Sequence, residues 1–409
     1  MEGKLALLLR NSSAGGRPRL DSPNAHHKMA RSEINEAFMA QRTKPPFRAD
    51  HVGSLLRPPE LIEAWKRFQA KQIDETELKR IEHDSVRGVV KLQEELGLQL
   101  ATDGEYQRSS WHRDFLQQIG NVRMVENNLK MRFHTHEGDT EMTPPGFRIE
   151  GKLFRPKPIF VDHFRFLKSV CKTTPKITIP SPSNLHFRGG RAAVSKDAYP
   201  EMSGFFDDLA KVYREEIAGL AEAGCRYLQL DEVNFAYLCD PSLREQVKAI
   251  GEDPATLPQT YAKLLNSVIK GKPADMVVAM HLCRGNSRSA WIAEGGYEPV
   301  AEVLFNQVNV DGYFLEYDSP RAGDFAPLRF VPKGKTIVLG LVTTKVPTLE
   351  KKEDLIRKIE EAAKYCPLDQ LALSPQCGFA SVLEGNKLTV ADEIAKLKLI
   401  VDVSREVWG

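Results

Sequence analysis

Four side chains that suit a metal ion follow three apolar segments of the chain. His281 and Cys283 occur in AMHLCRGN, Glu316 in YFLEYDSPR and Cys377 in LALSPQCGF, and each apolar segment has the length of a buried strand. One imidazole, two thiols and one carboxylate form a ligand set that suits zinc. Because a zinc site can convert a weakly nucleophilic thiol into a thiolate, the pattern favours an enzyme that acts on a thiol.

The spacing of these four residues is typical of a catalytic rather than a structural metal site. His281 and Cys283 are two residues apart, which puts both side chains on one face of a strand end. Glu316 and Cys377 come from separate strands, whereas structural sites usually use tight pairs such as Cys-x-x-Cys. Taken alone, Cys377 also fits a small core residue. We assign the remaining cysteines to packing: Cys171, Cys225, Cys239 and Cys366.

Composition and charge exclude several classes of protein. The chain has 409 residues, 42% hydrophobic and 27% charged, which is enough for a large core. The formal net charge of +2 gives no electrostatic reason to expect nucleic acid or an anionic membrane as partner. No apolar stretch approaches the roughly 20 residues that span a bilayer. Six irregularly spaced cysteines do not suggest a disulfide framework, so we expect a reducing compartment, the cytoplasm.

The first 45 residues differ from the rest of the chain. They contain a short apolar run, residues 5–9, and then a polar segment rich in glycine, serine and arginine. The run is shorter than the roughly 7–15 apolar residues of a secretory signal. The arginines and serines weakly suggest a transit peptide, but interspersed acidic residues argue against one. We predict a disordered extension at 1–45 and one folded unit at 46–409.

Short apolar segments alternate with amphipathic ones through residues 46–409, which predicts an α/β fold. Eight such strands with helices between them indicate a single (β/α)8 TIM barrel, whose active site lies at the carboxyl ends of its strands. An open doubly wound sheet is the alternative, although no glycine-rich phosphate loop follows a strand. A polar β-hairpin region at 121–160 is predicted as an insertion after the second strand. The predicted strands are 47–56, 96–105, 177–180, 225–232, 276–283, 310–317, 336–342 and 368–375, and the predicted helices include 78–96, 200–223, 241–270, 296–305, 350–364 and 389–406.

Several of these segments resemble the catalytic domain of cobalamin-independent methionine synthases, in the wider family of zinc-dependent barrel methyltransferases. The resemblance runs from about residue 46 to 408 and is most specific in HLC (281–283), FLEYD (314–318) and SPQCGF (374–379). It implies zinc as the cofactor and homocysteine as the thiol substrate, whose zinc-held sulfur attacks a methyl group to give methionine. The zinc ligands that it implies are His281, Cys283, Glu316 and Cys377.

The resemblance also extends to residues that would hold the amino acid. HVGSLLRP (51–58) resembles the first substrate loop, in which Ser54 would bind the carboxylate. DGE (103–105) and LQLDE (228–232) resemble motifs whose carboxylates, here Glu105 and Asp231, would grip the ammonium as catalytic and substrate-binding residues. Other interpretations are a solvated loop charge for Glu105 and a helix N-cap for Asp231. We add Glu232 to the predicted substrate-binding set.

Two arginines follow the segment with His281 and Cys283. Arg284 and Arg288, in RGNSR, fit a clamp for an anionic group such as a carboxylate or a sulfonate on donor or acceptor. Salt bridges to neighbouring loops are an equally good explanation of both residues.

The methyl donor is the open part of the prediction. GLVTTKVPTLE (340–350) lacks the histidine, and PSPSNLHFR (180–188) the tryptophan, that folate-dependent members of the resembled family carry there. A methyltetrahydrofolate-type molecule, another small donor or a methyl-donor protein would each fit the resemblance. Two alternative functions are zinc-dependent alkyl transfer to another thiol, as in epoxide:coenzyme M transfer, and a non-catalytic zinc barrel with a closed site.

Overall fold

The computed structural model describes residues 42–126, 131–135 and 137–409. The predicted disordered extension, residues 1–45, therefore lies outside the described residues except for its last four. Arg42 is fixed to the folded part, since its guanidinium donates to Pro46 O at 3.1 Å and to Asp369 O at 3.0 Å.

A seven-stranded parallel sheet forms the centre of the molecule, which confirms the predicted α/β class. Its strands are rich in aliphatic residues and buried on both faces, as expected where helices cover a parallel sheet. Because all seven run in one direction, their carboxyl ends meet at the same edge; Asp231, for example, lies opposite His281. The strands pair in the order β1 (Leu100–Ala101), β6 (Thr174–Pro180), β7 (Tyr227–Glu232), β8 (Val277–Leu282), β9 (Gly312–Glu316), β10 (Thr336–Val342) and β11 (Leu371–Pro375).

The segment predicted as the first strand forms only an isolated parallel bridge, between Ala49 and Leu373. Asp50 N–H donates to Leu373 O at 3.0 Å beside β11, and Leu55 N–H donates to Gly104 O at 3.1 Å, just beyond β1. One short segment thus contacts the chain at both edge strands of the sheet, β1 and β11, and the sheet is therefore curled. Closure into a full eight-stranded barrel stays a prediction.

Helices connect the strands and bury an apolar stripe against the sheet. The predicted helix 241–270 is divided in two, because Gly251 adopts a φ of 87° and Pro254 follows it. No helix in the described part of the chain has the length and hydropathy to cross a bilayer. The helices are α1 (Pro59–Gln69), α2 (Glu75–Glu95), α3 (Arg113–Leu116), α4 (Val161–Val170), α5 (Met202–Glu222), α6 (Asn234–Tyr237), α7 (Pro241–Ala249), α8 (Leu257–Ile269), α9 (Glu298–Gln307), α10 (Lys352–Ala362) and α11 (Val390–Trp408).

The chain between β1 and β6 forms two antiparallel strand pairs. One of them, the hairpin of β3 (Met131–Thr135) and β4 (Gly138–Met142), is fixed to the loop after β8. His134 N–H donates to Trp291 O at 2.8 Å, and Trp291 N–H donates to His134 O at 3.0 Å. Lys387 Nζ lies 3.2 Å from Glu137 Oε2 and attaches the hairpin to a second loop. The pairs are β2 (Gly120–Val125) with β5 (Gly146–Phe154), and β3 (Met131–Thr135) with β4 (Gly138–Met142).

A buried carboxylate on α11 gives the fold a testable pH dependence. Burial raises the pKa of Glu393 to about 8, although Leu56 N–H donates to its Oε2 at 2.8 Å. The folded protein therefore holds this proton more tightly than the unfolded chain, and the free energy of unfolding should fall between about pH 5 and pH 8. We expect Glu393→Gln to remove a few kcal/mol of this decline, measured by urea denaturation at both pH values. Glu384→Gln, at an exposed position, is the control that should keep the wild-type pH dependence.

Candidate metal centre and substrate cavity

The structure brings the four predicted ligands together at the carboxyl edge of the sheet. His281 lies near the end of β8 and Cys283 just beyond it, Glu316 is the last residue of β9, and Cys377 follows β11. One ligand atom from each lies within 4.8 Å of the other three. The two sulfurs are 3.5 Å apart, and His281 Nε2 is 4.0 Å from Glu316 Oε1. Three strands that are distant in sequence therefore form one compact cluster.

The hydrogen bonding of this cluster fits a metal ion. Neither ring nitrogen of His281 has a hydrogen-bond partner of good geometry, and neither has Glu316 Oε2, although all these atoms are buried. Buried polar atoms are nearly always satisfied in native proteins, so their pairing with a ligand is the simplest explanation. Two backbone amides orient metal-ligating atoms of the cluster. Arg284 N–H donates to Glu316 Oε1 at 3.1 Å, and Gly285 N–H donates to Cys283 Sγ at 3.3 Å. Imidazole, thiolate and carboxylate together suit a divalent transition metal.

The pKa values of the clustered side chains show why a cation would stabilise the cluster. The hydrogen bond between the two thiols holds the pKa of Cys377 well below its ordinary value and raises the pKa of Cys283 well above it. Burial, followed by the nearby charge of Cys377, raises the pKa of Glu316 to about 7. Three anionic donors this close repel each other, so all three ionise together only around a positive charge.

A cavity of about 260 Å³ opens beside the cluster and contains the predicted amino-acid-binding residues. His281, Cys283 and Cys377 line it, whereas Glu316 lies behind them, fully buried. Three predicted substrate residues line the same cavity: Ser54, Glu105 and Asp231.

The carboxylates of Glu105 and Asp231 can accept further hydrogen bonds in this cavity. Glu105 is only 3% exposed, and its Oε2 has no partner, while Thr178 Oγ1 donates to its Oε1 at 3.1 Å. Gln229 Nε2 donates to Asp231 Oδ1 at 2.7 Å, and burial, followed by the charge of Glu105, raises the pKa of Asp231 to about 7. A solvated charge and a helix cap are therefore wrong for these residues, since Val233 is the N-cap of α6. Two buried carboxylates instead suit a cationic group such as an ammonium.

Three other predicted substrate residues do not line the cavity. Glu232 lies on the opposite face of β7 from Asp231, and it accepts hydrogen bonds from Ser181, from Ser183 Oγ at 2.6 Å and from Asn234 N–H at 2.6 Å. The guanidinium of Arg284 is fully buried, 4.4 Å from the ring centroid of Tyr297, and Arg288 is exposed. None of these three residues lines the cavity, so none is placed to contact a molecule bound there. Arg288 also forms no ion pair with a described carboxylate.

Sequence reasoning missed an aromatic and basic part of the cavity wall. The signal was present in SSWHRD (109–114), where an aromatic residue and two basic ones follow the DGE motif. Arg113 and Arg188 are half-buried, and neither guanidinium forms an ion pair with a described carboxylate. The cavity is therefore acidic at one part and cationic at another. Its missed lining residues include Trp111, His112, Arg113, Phe133, Met142, Pro144, Pro145 and Arg188.

A glycine beside the cluster allows the substrate loop to approach it. A Cβ at Gly378 would lie 1.9 Å from Ser54 Oγ and 3.1 Å from Ser54 Cβ. The Ser54 side chain has little freedom to move, because Ala380 N–H donates to its Oγ at 3.3 Å. We expect Gly378→Ala to lower the free energy of unfolding by about 1–3 kcal/mol and to weaken metal binding by displacing Cys377. Urea denaturation and metal titration measure both effects, and Gly88→Ala, in open space on α2, should show neither.

Comparisons of the sequence and the fold with known proteins show which proteins this chain is similar to. Residues 47–406 match the family described as Cobalamin-independent synthase, Catalytic domain. The chain is 44% identical over 371 residues to the protein YxjH of Bacillus subtilis, covering 90% of this chain and 96% of that one. It is 25% identical over 374 residues to a methionine synthase of Saccharolobus solfataricus, covering 86% of this chain and 97% of the relative. A solved structure from Listeria monocytogenes, a candidate vitamin-B12-independent methionine synthase, superposes with a TM-score of 0.72 at 36% identity, covering 90% of this chain and all of the other.

Proposed function

This chain belongs to the family of cobalamin-independent synthase catalytic domains, and we propose that it transfers a methyl group to the thiol of homocysteine to give methionine. One observation carries the proposal. A cluster of metal-ligating side chains and a pair of buried carboxylates open into the same small cavity, so a thiol and an ammonium of one amino acid can be held at once.

We propose zinc as the metal, held by His281, Cys283, Glu316 and Cys377. Two thiolates and an imidazole favour zinc over the hard cations, which prefer oxygen ligands. When bound, zinc supplies a positive charge that keeps a thiol ionised at neutral pH, where a free thiol of pKa about 8.5 is only a few per cent thiolate.

The residues of the chain itself orient the amino acid. Glu105 and Asp231 would accept hydrogen bonds from the ammonium, and because both side chains are almost fully buried, such charge-assisted bonds are strong. Ser54 Oγ accepts from Ala380 N–H, so its own hydroxyl proton remains available for the carboxylate of the substrate. These contacts would direct the sulfur towards the ligand cluster and leave its far side open to the methyl donor.

The geometry favours this reaction over both alternatives. A sulfonate thiol such as coenzyme M has no amine to pair with Glu105 and Asp231, so these two buried carboxylates favour an amino-acid thiol. A non-catalytic zinc site would be closed, whereas three of the four ligands border the cavity. The two guanidinium groups of Arg113 and Arg188 favour a donor that carries negative charge.

The fold of the whole unit and the cellular compartment are also part of the proposal. We place residues 46–409 in one (β/α)8 barrel, supported by the segment around Ala49 that contacts both edges of the sheet. The six cysteines form no disulfide, which is consistent with the reducing cytoplasm.

Metal analysis followed by a donor assay tests the proposal. Purified protein should contain one zinc per chain, and its zinc X-ray absorption spectrum should change when L-homocysteine is added. A panel of 5-methyltetrahydrofolate, methylcobalamin and S-methylmethionine should then include a donor that yields methionine. Protein that holds zinc but shows the same spectrum with and without homocysteine, and forms no methionine, would contradict the proposal.

A further inference from the structure

A buried lysine lies next to the metal centre without an anionic partner of its own. Lys345 follows β10, the strand between β9 and β11, which itself contributes no ligand. Its side chain is only 2% exposed. Its ammonium contacts neutral acceptors: Gly285 O at 3.3 Å, Asn286 Oδ1 at 3.2 Å and Ala290 O at 3.5 Å. No described carboxylate forms an ion pair with it, and a buried charge without compensation is costly.

The compensating charge is that of the ligand cluster. The ammonium of Lys345 contacts the carbonyl oxygen of Gly285, whose own N–H donates to Cys283 Sγ at 3.3 Å, so its charge lies beside the cluster. There it favours the ionised forms of the three anionic ligands, Cys283, Glu316 and Cys377. Two thiolates and one carboxylate carry three negative charges, and a divalent ion supplies two positive ones. The centre therefore has one negative charge in excess, which Lys345 balances. A third anionic sulfur, entering from the cavity, would add a further negative charge to the same buried region.

We propose that Lys345 is the counter-charge that allows this centre to accept a substrate sulfur as a thiolate. The inference rests on the proposed function. Lys345 does not line the cavity, so it acts through the field that it creates at the cluster rather than by touching the substrate. Even at a separation of about 10 Å, a unit positive charge should favour a bound thiolate by about tenfold or more at an effective dielectric of about 20.

Lys345 also has a structural role, which the test must separate from its charge. Its contacts hold the loop after β8, in which Gly285 N–H donates to Cys283 Sγ at 3.3 Å. Asn286 Nδ2 in turn donates to Gly378 O at 2.7 Å, next to Cys377. Removing the lysine could thus disturb the cluster mechanically as well as electrostatically.

Two ligands that differ only at sulfur distinguish charge from structure. L-homocysteine presents a thiol, and L-methionine presents a neutral thioether with the same ammonium and carboxylate. We expect Lys345→Met to raise the Kd of homocysteine about tenfold or more, and that of methionine less than about twofold, by calorimetric titration of the zinc-loaded protein. Lys91→Met, which removes an exposed lysine on α2 that pairs with Glu95, should leave both Kd values unchanged.

A second variant keeps the test decisive if Lys345→Met folds or loads zinc poorly. Lys345→Arg retains the charge and should keep the wild-type ratio of the two Kd values. Equal weakening of both ligands in Lys345→Met, or an arginine variant whose ratio changes as in the methionine variant, would overturn the inference and leave the proposed function standing. Wild-type protein that binds neither amino acid would overturn the proposed function and this inference with it.

Discussion

Replacing Cys377 by serine should remove stoichiometric zinc and, with it, methionine formation. The Cys377 sulfur lies 3.5 Å from that of Cys283, and the cluster has no other buried thiol to take its place. A serine hydroxyl stays protonated near neutral pH and is a harder donor, so it cannot replace a thiolate ligand. We expect the affinity for zinc to fall by more than the roughly 10–100-fold that loss of a supporting residue behind a ligand costs.

The matched control is Cys366→Ser. Cys366 is also buried, at 1% exposure, but it lies outside the ligand cluster, so this variant should keep its zinc even if it is less stable. Zinc content after dialysis against a chelator, measured beside a denaturation curve for each variant, separates metal loss from unfolding. Undiminished zinc affinity in Cys377→Ser would show that this sulfur is not a ligand.

Asp231→Asn should lower kcat/KM for homocysteine by roughly 10–150-fold while zinc content stays unchanged. The estimate follows from the roughly 1.5–3 kcal/mol contributed by a hydrogen bond to a charged group. 4-Mercaptobutyrate, which is homocysteine without its amine, is the matched probe. Wild-type protein should prefer homocysteine strongly, and the variant should lose most of this preference. A variant that still discriminates between the two thiols would show that Asp231 does not bind the ammonium.

The same substitution should remove a pH dependence. Because burial raises the pKa of Asp231 to about 7, the ligand-free protein holds this group protonated below about pH 7. The affinity of wild-type protein for homocysteine should therefore fall as the pH is lowered through 7, since a neutral acid attracts an ammonium less than a carboxylate does. In Asp231→Asn the affinity should vary less over this range, which calorimetric titration from pH 6 to 8 would show.

The parallel sheet and the clustering of the four metal-ligating residues could be predicted from the sequence, because both follow from the geometry of parallel strands. Apolar runs that end in polar residues are typical of parallel strands, and parallel strands bring their carboxyl ends to one edge. His281, Glu316 and Cys377 could therefore be expected at one site, and the structure places them there. Asp231 and Glu105 line the neighbouring cavity for the same reason.

The remaining features depend on tertiary contacts that no local pattern encodes. Strands buried on both faces show no alternation of polar and apolar residues, so periodicity alone could not show that Asp231 and not Glu232 faces the cavity. The sequence leaves Arg284 open between an anion clamp and a salt bridge, whereas its guanidinium is buried 4.4 Å from the ring centroid of Tyr297 and does not line the cavity. Lys345 lies in a loop, and only the folded chain shows that its charge is buried beside three ligands.

The attachment of the β3–β4 hairpin has a consequence for the timing of events in the cavity. The backbone of His134 is hydrogen-bonded to the backbone of Trp291. Ala290, which precedes Trp291 in the chain, accepts a hydrogen bond from Lys345 Nζ through its carbonyl oxygen. Moving the hairpin aside to let a molecule in or out would pull on this loop and shift the lysine relative to the sulfurs. Ligand exchange would then also change the distance between the ammonium and the sulfurs, so entry to the cavity and activation of the thiol would be coupled through this one loop.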